Sequence, residues 1–71
     1  RLLLSVENRA LVDKALEQLP DSQRVVVTLR DIEGLDAADV CNILGITETN
    51  QRVLLHRGRT RVRAALTSAL E

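Results

Sequence analysis

One proline and two glycines divide this chain of 71 residues into four segments, with little sequence left over for loops. Pro20 cannot continue a helical hydrogen-bond ladder, and Gly34 and Gly45 suit the left-handed backbone that ends many helices. Between them, apolar residues recur at spacings of three and four, the period of an amphipathic helix. The punctuation therefore predicts an all-α, four-helix domain with tight connections, and the length allows one domain, residues 1–71.

The first helix is predicted over residues 6–19. Ser5 is its expected N-cap, and Pro20 ends it. Residues 1–5 are expected to be the remnant of a linker, because the chain begins at Arg1 without an initiator Met and is taken as a piece of a longer protein. The apolar residues expected to face inward are Val12, Ala15, Leu16 and Leu19.

The second helix is expected to be capped by Asp21 and to reach Ile32, where Gly34 stops it. Residues 25–28 read Val-Val-Val-Thr and favour a strand by propensity. A helix is predicted nevertheless, because a lone strand would have no partner in this chain. The inward residues would be Val25 or Val26, Leu29 and Ile32.

The third and fourth helices are each preceded by a capping residue. Asp36 is expected to cap a helix over Ala37–Leu44, in which Asp39 suits the positive end of the helix dipole. Thr47 is expected to cap the last helix, which could extend to Ala69. The inward stripe of the last helix is predicted to be Leu55, Gly58, Val62, Leu66 and Ala69.

The composition limits the core and the compartment. There is no Phe, Tyr or Trp, so the core must be built from aliphatic residues, and none of these large aromatic rings is available for an unpaired base to stack on. Any nucleic acid that the chain binds is therefore expected to be intact duplex rather than single strands. One cysteine cannot form an internal disulfide, which favours a reducing cytoplasm. No apolar run approaches the ~20 residues of a membrane span, so no membrane role is expected.

Charge is distributed unevenly along the chain, although the formal net charge is zero. Residues 1–48 carry five basic and nine acidic side chains, a net charge of −4. Residues 49–71 carry five arginines and one glutamate, a net charge of +4. Because a phosphate backbone responds to the local field, the last third is expected to bind nucleic acid.

The segment of residues 36–63 has the pattern of a helix-turn-helix. A short capped helix directs Val40 and Leu44 to the core, Gly45 makes the turn and Ile46 fills the corner. A structural corner in a small bundle would look similar, but the arginines favour DNA binding. On a helix they form two rows, Arg52 with Arg59 and Arg63, and Arg57 with Arg61. Few carboxylates are expected nearby, so phosphate contact is predicted rather than a salt-bridged surface.

Four stretches occur in a characteristic order: LPDSQRVVVTLRDIEGL at residues 19–35, DAADVCNILGIT at 36–47, the helix start at 49–52, and LHRGRTRVR at 55–63. Together they resemble region 4 of bacterial sigma factors, most closely of the extracytoplasmic-function type. That family typically has a Leu-Pro turn, Gln-Arg, Leu-Arg and Glu-Gly-Leu, then a helix-turn-helix closed by Leu-His-Arg-Ala-Arg. The resemblance spans nearly the whole chain from Leu16, and the combination of motifs is specific.

The resemblance implies a domain that binds the minus-35 element of promoters, with the last helix in the major groove. Its reading end would run from Thr47 to Arg57, and Arg59 would grip the DNA backbone. Ala37 and Ala38 would offer backbone N–H groups to phosphate at a helix start. The residues implied to meet base edges and nearby phosphates are Thr47, Thr49, Asn50, Arg52, Val53, His56 and Arg57.

The implied partners are promoter duplex and the RNA polymerase core. The domain would dock on the flap of the polymerase beta subunit through apolar residues of helices one and two. In many relatives an anti-sigma protein covers this region, so such a protein is a further possible partner. No cofactor is implied.

The chain departs from the family pattern at the start of the last helix. Gln51 stands where an apolar residue normally packs inward, so it needs a buried partner unless the helix start is rotated. Val53 and Leu54 replace a small polar residue and an arginine, and Val53 could touch a thymine methyl group. Gly58 replaces Ala at a cost of up to ~1 kcal/mol of helix propensity. Base preference should therefore differ from the family norm.

Other functions find less support in the residues. A zinc site needs about four ligands, whereas His56 and Cys41 have only scattered carboxylates around them, and Cys41 is expected to be a small buried thiol. No nucleophile, base and orienting acid can be assembled, so no enzyme is expected. Two alternatives stay open: the output domain of a response regulator, which usually lacks the Leu-His-Arg-x-Arg tail, and a protein-binding helix-turn-helix that would expose an apolar stripe.

Overall fold

The structure is a computed structural model that describes residues 6–70, with side chains from residue 8 onward. Within that range the chain is helical apart from short turns, and no strand is present, so the all-α prediction is confirmed. The helices are α1 (Val6–Glu17), α2 (Asp21–Val27), α3 (Ala37–Leu44) and α4 (Glu48–Leu70). The expected cap Ser5 lies outside the described residues.

The predicted turn chemistry is confirmed at both ends of α3. Asp36 has extended backbone, and its Oδ1 accepts the Asp39 N–H at 2.9 Å. Gly45 ends the helix with φ +67°, and Gly34 closes the preceding segment with φ +80°. Neither glycine could be replaced by a residue with a Cβ without strain in the left-handed region.

The cap predicted for α2 is wrong. Pro20 occupies the N-cap position with no side-chain hydrogen bond, and Asp21 is already the first helical residue. Its carboxylate pairs with Arg24 one turn later instead of capping the backbone. Proline's fixed φ suits a helix entrance, which moves the boundary by one residue.

The Val-Val-Val-Thr run is helical, as predicted, because its side chains are needed in the core. Val26 is fully buried and Val27 nearly so, whereas Val25 is exposed, which settles the choice between Val25 and Val26. After Val27 the backbone widens into a π-helical segment, Thr28–Ile32, which the sequence did not predict. Leu29 and Ile32 in this segment pack against the core.

The core lies where α1 and α2 meet α4. The residues predicted to face inward from α1 are all buried, together with Val40 and Leu55, while Val62 and Leu66 pack at the edge. Ala69 is predicted to face inward but is exposed, as is the rest of the last turn of α4 from Thr67 to Leu70. Cys41 was expected to be buried and is only partly so.

Candidate nucleic-acid interface

The corner between α3 and α4 is a rigid helix-turn-helix. The N–H groups of Gly45 and Ile46 both donate to the carbonyl oxygen of Cys41, at 2.8 and 3.1 Å, so the turn is closed by backbone hydrogen bonds. Val40 below the turn is fully buried, and Ile46 packs against the core. Because both sides of the corner are anchored, α4 leaves the body at a fixed angle.

Thr47 caps α4, as predicted. Its Oγ1 accepts the Asn50 N–H at 3.0 Å, and its carbonyl oxygen accepts the Gln51 N–H at 2.9 Å. The cap satisfies an otherwise unpaired N–H group in the first turn of the helix. Hydrogen bonds within the domain therefore fix the first turn of α4, where the predicted reading end starts.

The predicted reading residues of α4 share one property, which is exposure to solvent. None of them contributes to the core, and Val53, the one apolar member, is 40% exposed. The exposed set is Thr47, Thr49, Asn50, Arg52, Val53, His56, Arg57 and Arg59. The structure thus brings these residues to the outer side of one continuous helix, while their DNA contacts stay a prediction.

The inner side of the same turns is held by an unexpected polar contact. Gln51 is only 2% exposed, and its Oε1 accepts a hydrogen bond from Arg30 Nη1 at 2.8 Å. The departure from the family pattern at Gln51 is therefore accommodated by a polar partner, Arg30, which is itself partly buried. Arg30 could not be identified as that partner from the sequence, since it lies in the π-helical segment, 21 residues away.

The predicted row of Arg52, Arg59 and Arg63 is formed. These three side chains line one shallow depression on α4 together with His56 and Thr60. Arg61 lies on another side of the helix, where it lines a groove with Gln18 and Leu19 of the α1 end. The cations of α4 are therefore divided between an open face and a face turned toward α1.

The expectation that these arginines have few carboxylates nearby is wrong for two of them. Arg59 makes two hydrogen bonds to Asp31, Nε to Oδ2 at 2.8 Å and Nη2 to Oδ1 at 2.6 Å. Arg52 lies 3.7 Å from Glu48 one turn before it. The hydrogen bond to Asp31 raises the pKa of Arg59, against a smaller opposing effect of burial. Asp31 is 28 residues from Arg59, which is why pattern reading missed it.

The second predicted anion site lies at the start of α3. Ala37 is partly buried and Ala38 is exposed. Their N–H groups are among those that have no acceptor within a helix, while the Asp36 carboxylate takes the N–H of Asp39. The same carboxylate places a negative charge beside the two alanines, which opposes a phosphate there.

Within the described part of the chain, no group of three or more His, Cys, Asp or Glu side chains is arranged to hold a metal ion. No helix between residues 6 and 70 is long and apolar enough to cross a membrane.

Comparison with known proteins agrees with this architecture. The family described as "Sigma-70, region 4" matches residues 9–62. The chain is 33% identical over 58 residues to the ECF RNA polymerase sigma-E factor of Escherichia coli (strain K12), and the match covers 82% of this chain and 30% of that protein. It is 32% identical over 66 residues to the RNA polymerase sigma-H factor of Pseudomonas aeruginosa, with 93% of this chain and 34% of that protein covered.

The chain therefore spans about a third of the length of these curated relatives. No solved structure matches it with comparable significance. The family match favours the resemblance to sigma factors over the response-regulator alternative. The helix-turn-helix at residues 36–63, the motifs around it and the match over residues 9–62 lead to one conclusion: this chain belongs to the sigma-70 region 4 family.

Proposed function

We propose that this domain recognises the minus-35 element of promoters as intact duplex, with α4 in the major groove. It would do so as part of a sigma factor that directs RNA polymerase to begin transcription in the cytoplasm. The observation that carries the proposal is the anchored corner that presents the exposed side of α4, where the row of cations lies beside the predicted reading residues. An α-helix fits the major groove, and arginine can bond phosphate or guanine with two N–H groups.

The two parts of α4 are assigned different tasks. The first three turns carry Asn50, Arg52, Val53 and Arg57, whose side chains would meet base edges and nearby phosphates. Arg63, farther along on the cationic row, would meet the DNA backbone, where it adds affinity without base preference. Arg59 can join it through Nη1, because its Nε and Nη2 already bond Asp31.

The protein partners are proposed from the family to which the chain belongs. The RNA polymerase core, through its beta-subunit flap, would dock on the α1–α2 side, where Val25 is exposed, and an anti-sigma protein could cover the domain in competition with it. The relatives' names state that they are RNA polymerase sigma factors. The domain itself is proposed to bind and position, with no catalytic step.

A protein-binding role for the helix-turn-helix is the second candidate, and one observation favours it. Ile43 on α3 is 61% exposed and Val53 on α4 is 40% exposed, so the corner shows apolar side chains to solvent. A domain that binds only protein would show no binding to DNA that depends on Arg57.

The test compares two arginines that carry the same charge on the same helix. Duplex binding by the wild-type chain is followed by fluorescence anisotropy over a range of salt concentrations. Each phosphate contact contributes about 0.9 to the slope of log K against log salt. Arg57→Ala is expected to weaken binding and to reduce the slope by about one if it meets phosphate, or to relax base preference if it meets a base. Arg61→Ala is the matched control, because Arg61 lies one turn beyond the reading end in the groove that it lines with Gln18 and Leu19, and it should change both less.

Unchanged binding and an unchanged salt slope in Arg57→Ala would show that the reading face is wrongly placed. Failure of the wild-type chain to bind any duplex, together with binding to a peptide of the polymerase flap, would favour the protein-binding candidate.

A further inference from the structure

A side-chain hydrogen bond, rather than an apolar contact, holds the first turn of α4 against the π-helical segment. Gln51 is the residue whose side chain points inward there, and it is almost fully buried. Its Oε1 accepts a hydrogen bond from Arg30 Nη1 at 2.8 Å, while its backbone N–H donates to the carbonyl oxygen of Thr47 at 2.9 Å. Both the backbone and the side chain of this residue are therefore fixed in direction.

Loss of the hydrogen bond to Gln51 would be costly for Arg30. Its Nε is buried and has no hydrogen-bond partner among the described residues, so part of the guanidinium is already unsatisfied. A buried donor that loses its acceptor bears the full cost of its desolvation. The guanidinium is planar and its donors lie in a rigid fork, so the Gln51 oxygen must stay in a narrow range of positions.

A second contact between the π-helical segment and α4 is made by the residue that follows Arg30. Asp31, next to Arg30 in the π-helical segment, accepts two hydrogen bonds from Arg59. Gln51 and Arg59 are eight residues apart, about 12 Å along α4 at 1.5 Å per residue. A helix that is held at two points by neighbouring residues of one segment cannot rotate or slide without breaking one of the contacts.

On this geometry, and resting on the proposed function, we propose that Arg30 and Gln51 are positioning residues that set the rotation of α4 and thereby its base preference. Gln51 lies between Asn50 and Arg52, two predicted reading residues, so any rotation of Gln51 is passed to them. With side chains reaching about 5–6 Å from the helix axis, a rotation of about 10° moves their tips by about 1 Å. That displacement is enough to spoil a two-point hydrogen bond to a base edge.

An apolar residue at position 51 would act differently. Hydrophobic contact is nearly non-directional and tolerates rotation, whereas a hydrogen bond weakens steeply as its angle departs from linear. The Arg30–Gln51 hydrogen bond therefore specifies one rotation of α4 about its axis. An apolar residue at position 51 would permit several rotations. The Asp31–Arg59 pair supports the same rotation from farther along the helix.

The test uses the double variant Arg30→Met, Gln51→Val, which removes both polar partners and leaves no buried donor without its acceptor. A duplex preferred by the wild-type chain is first selected from a random pool. The readout is the ratio of its affinity to that of the same duplex with one base pair changed. We expect the ratio to fall about tenfold in the double variant, since one good base contact is worth roughly that much. The salt slope should stay unchanged, because no phosphate contact is removed.

Two single variants sharpen the result. Gln51→Glu keeps an acceptor at the same distance along the side chain and should retain the wild-type ratio. Gln51→Asn shortens the side chain by one methylene and should lose discrimination as the double variant does. If thermal unfolding followed by circular dichroism shows that the double variant does not fold, Gln51→Asn supplies the same comparison.

The outcomes separate the two proposals. A wild-type chain that prefers no duplex overturns the proposed function and this inference with it. A wild-type preference that the double variant or Gln51→Asn retains in full overturns the inference alone. Loss of the ratio in Gln51→Glu as well would also overturn it, because the acceptor would then not be what positions the helix.

Discussion

Gly58 lies where α4 packs against α2, and the substitution Gly58→Ala tests how tightly the two helices are packed. A Cβ placed there would lie 2.5 Å from Val27 Cγ2 and 3.3 Å from the carbonyl oxygen of Gln23. Ordinary van der Waals contacts begin at about 3.5 Å. Val27 is buried and β-branched, so its methyl group cannot turn away without leaving its rotamer. Either a helix or the valine must therefore move.

Two opposing effects determine the magnitude. Alanine in place of glycine favours the helix by about 1 kcal/mol, whereas overpacking a core costs typically about 1–3 kcal/mol. A shift of about 1 Å against a stiff side chain and a backbone carbonyl belongs in the upper part of that range. The free energy of unfolding should thus fall by about 1–2 kcal/mol. For a domain of this size that lowers Tm by roughly 4–16 °C.

Thermal unfolding of Gly58→Ala, followed by circular dichroism, measures this change. Ala64→Gly is the matched control: it lies on the exposed side of the same helix and reports propensity alone, with an expected loss of about 1 kcal/mol. Combining Gly58→Ala with Val27→Ala removes the methyl group in the way. The double variant should be more stable than the sum of the single effects by at least about 1 kcal/mol. A higher Tm in Gly58→Ala, or strictly additive effects, would refute the close approach.

Two further substitutions test the electrostatics and the cap. Asp31→Asn releases Arg59 and removes a negative charge, so it should tighten duplex binding and steepen the salt slope by about one, as measured by anisotropy. Because the side chains of this pair are 46% and 32% exposed, the accompanying loss of stability should be no more than about 1 kcal/mol. Unchanged binding and an unchanged salt slope would show that Asp31 does not keep Arg59 from the DNA. Thr47→Ala removes the N-cap and should lower the free energy of unfolding, measured by urea unfolding, by about 1 kcal/mol. Thr47→Ser keeps a hydroxyl at this position and should restore the stability. Equal stability of the alanine and serine variants would contradict the capping role.

Local features of this fold could be predicted because each depends on a few neighbouring residues. The caps at Asp36 and Thr47 and the left-handed glycines follow from short-range chemistry, and the structure confirms them. The apolar face of α1 follows from helical period in the same way. Asp21 was misplaced by one position because proline and aspartate both suit a helix start, and only the backbone decides between them.

Contacts between elements could not be predicted from one sequence. The Arg30–Gln51 and Asp31–Arg59 contacts join residues that are 21 and 28 positions apart, and no local pattern links them. The π-helical segment that carries Arg30 and Asp31 has no sequence signature of its own. The helical period predicts that Gly58 faces inward, and Gly58 is buried, but the period does not reveal that it faces Val27 and Gln23 of α2. In each case the reason for the residue lies on another helix.

We expect the exposed side of the first turns of α4 to read base pairs in duplex DNA. The most direct measurement is selection of bound duplexes from a random pool, carried out in parallel with the wild-type chain and with Asn50→Ala. Asn50 is exposed in the first turn, and an asparagine side chain can bond adenine with both its amide groups. We expect the wild-type chain to enrich a short motif and Asn50→Ala to enrich the same motif with its preference relaxed at one position or two adjacent ones. No enriched motif from the wild-type chain, or the identical motif from both proteins, would contradict this placement of the reading face.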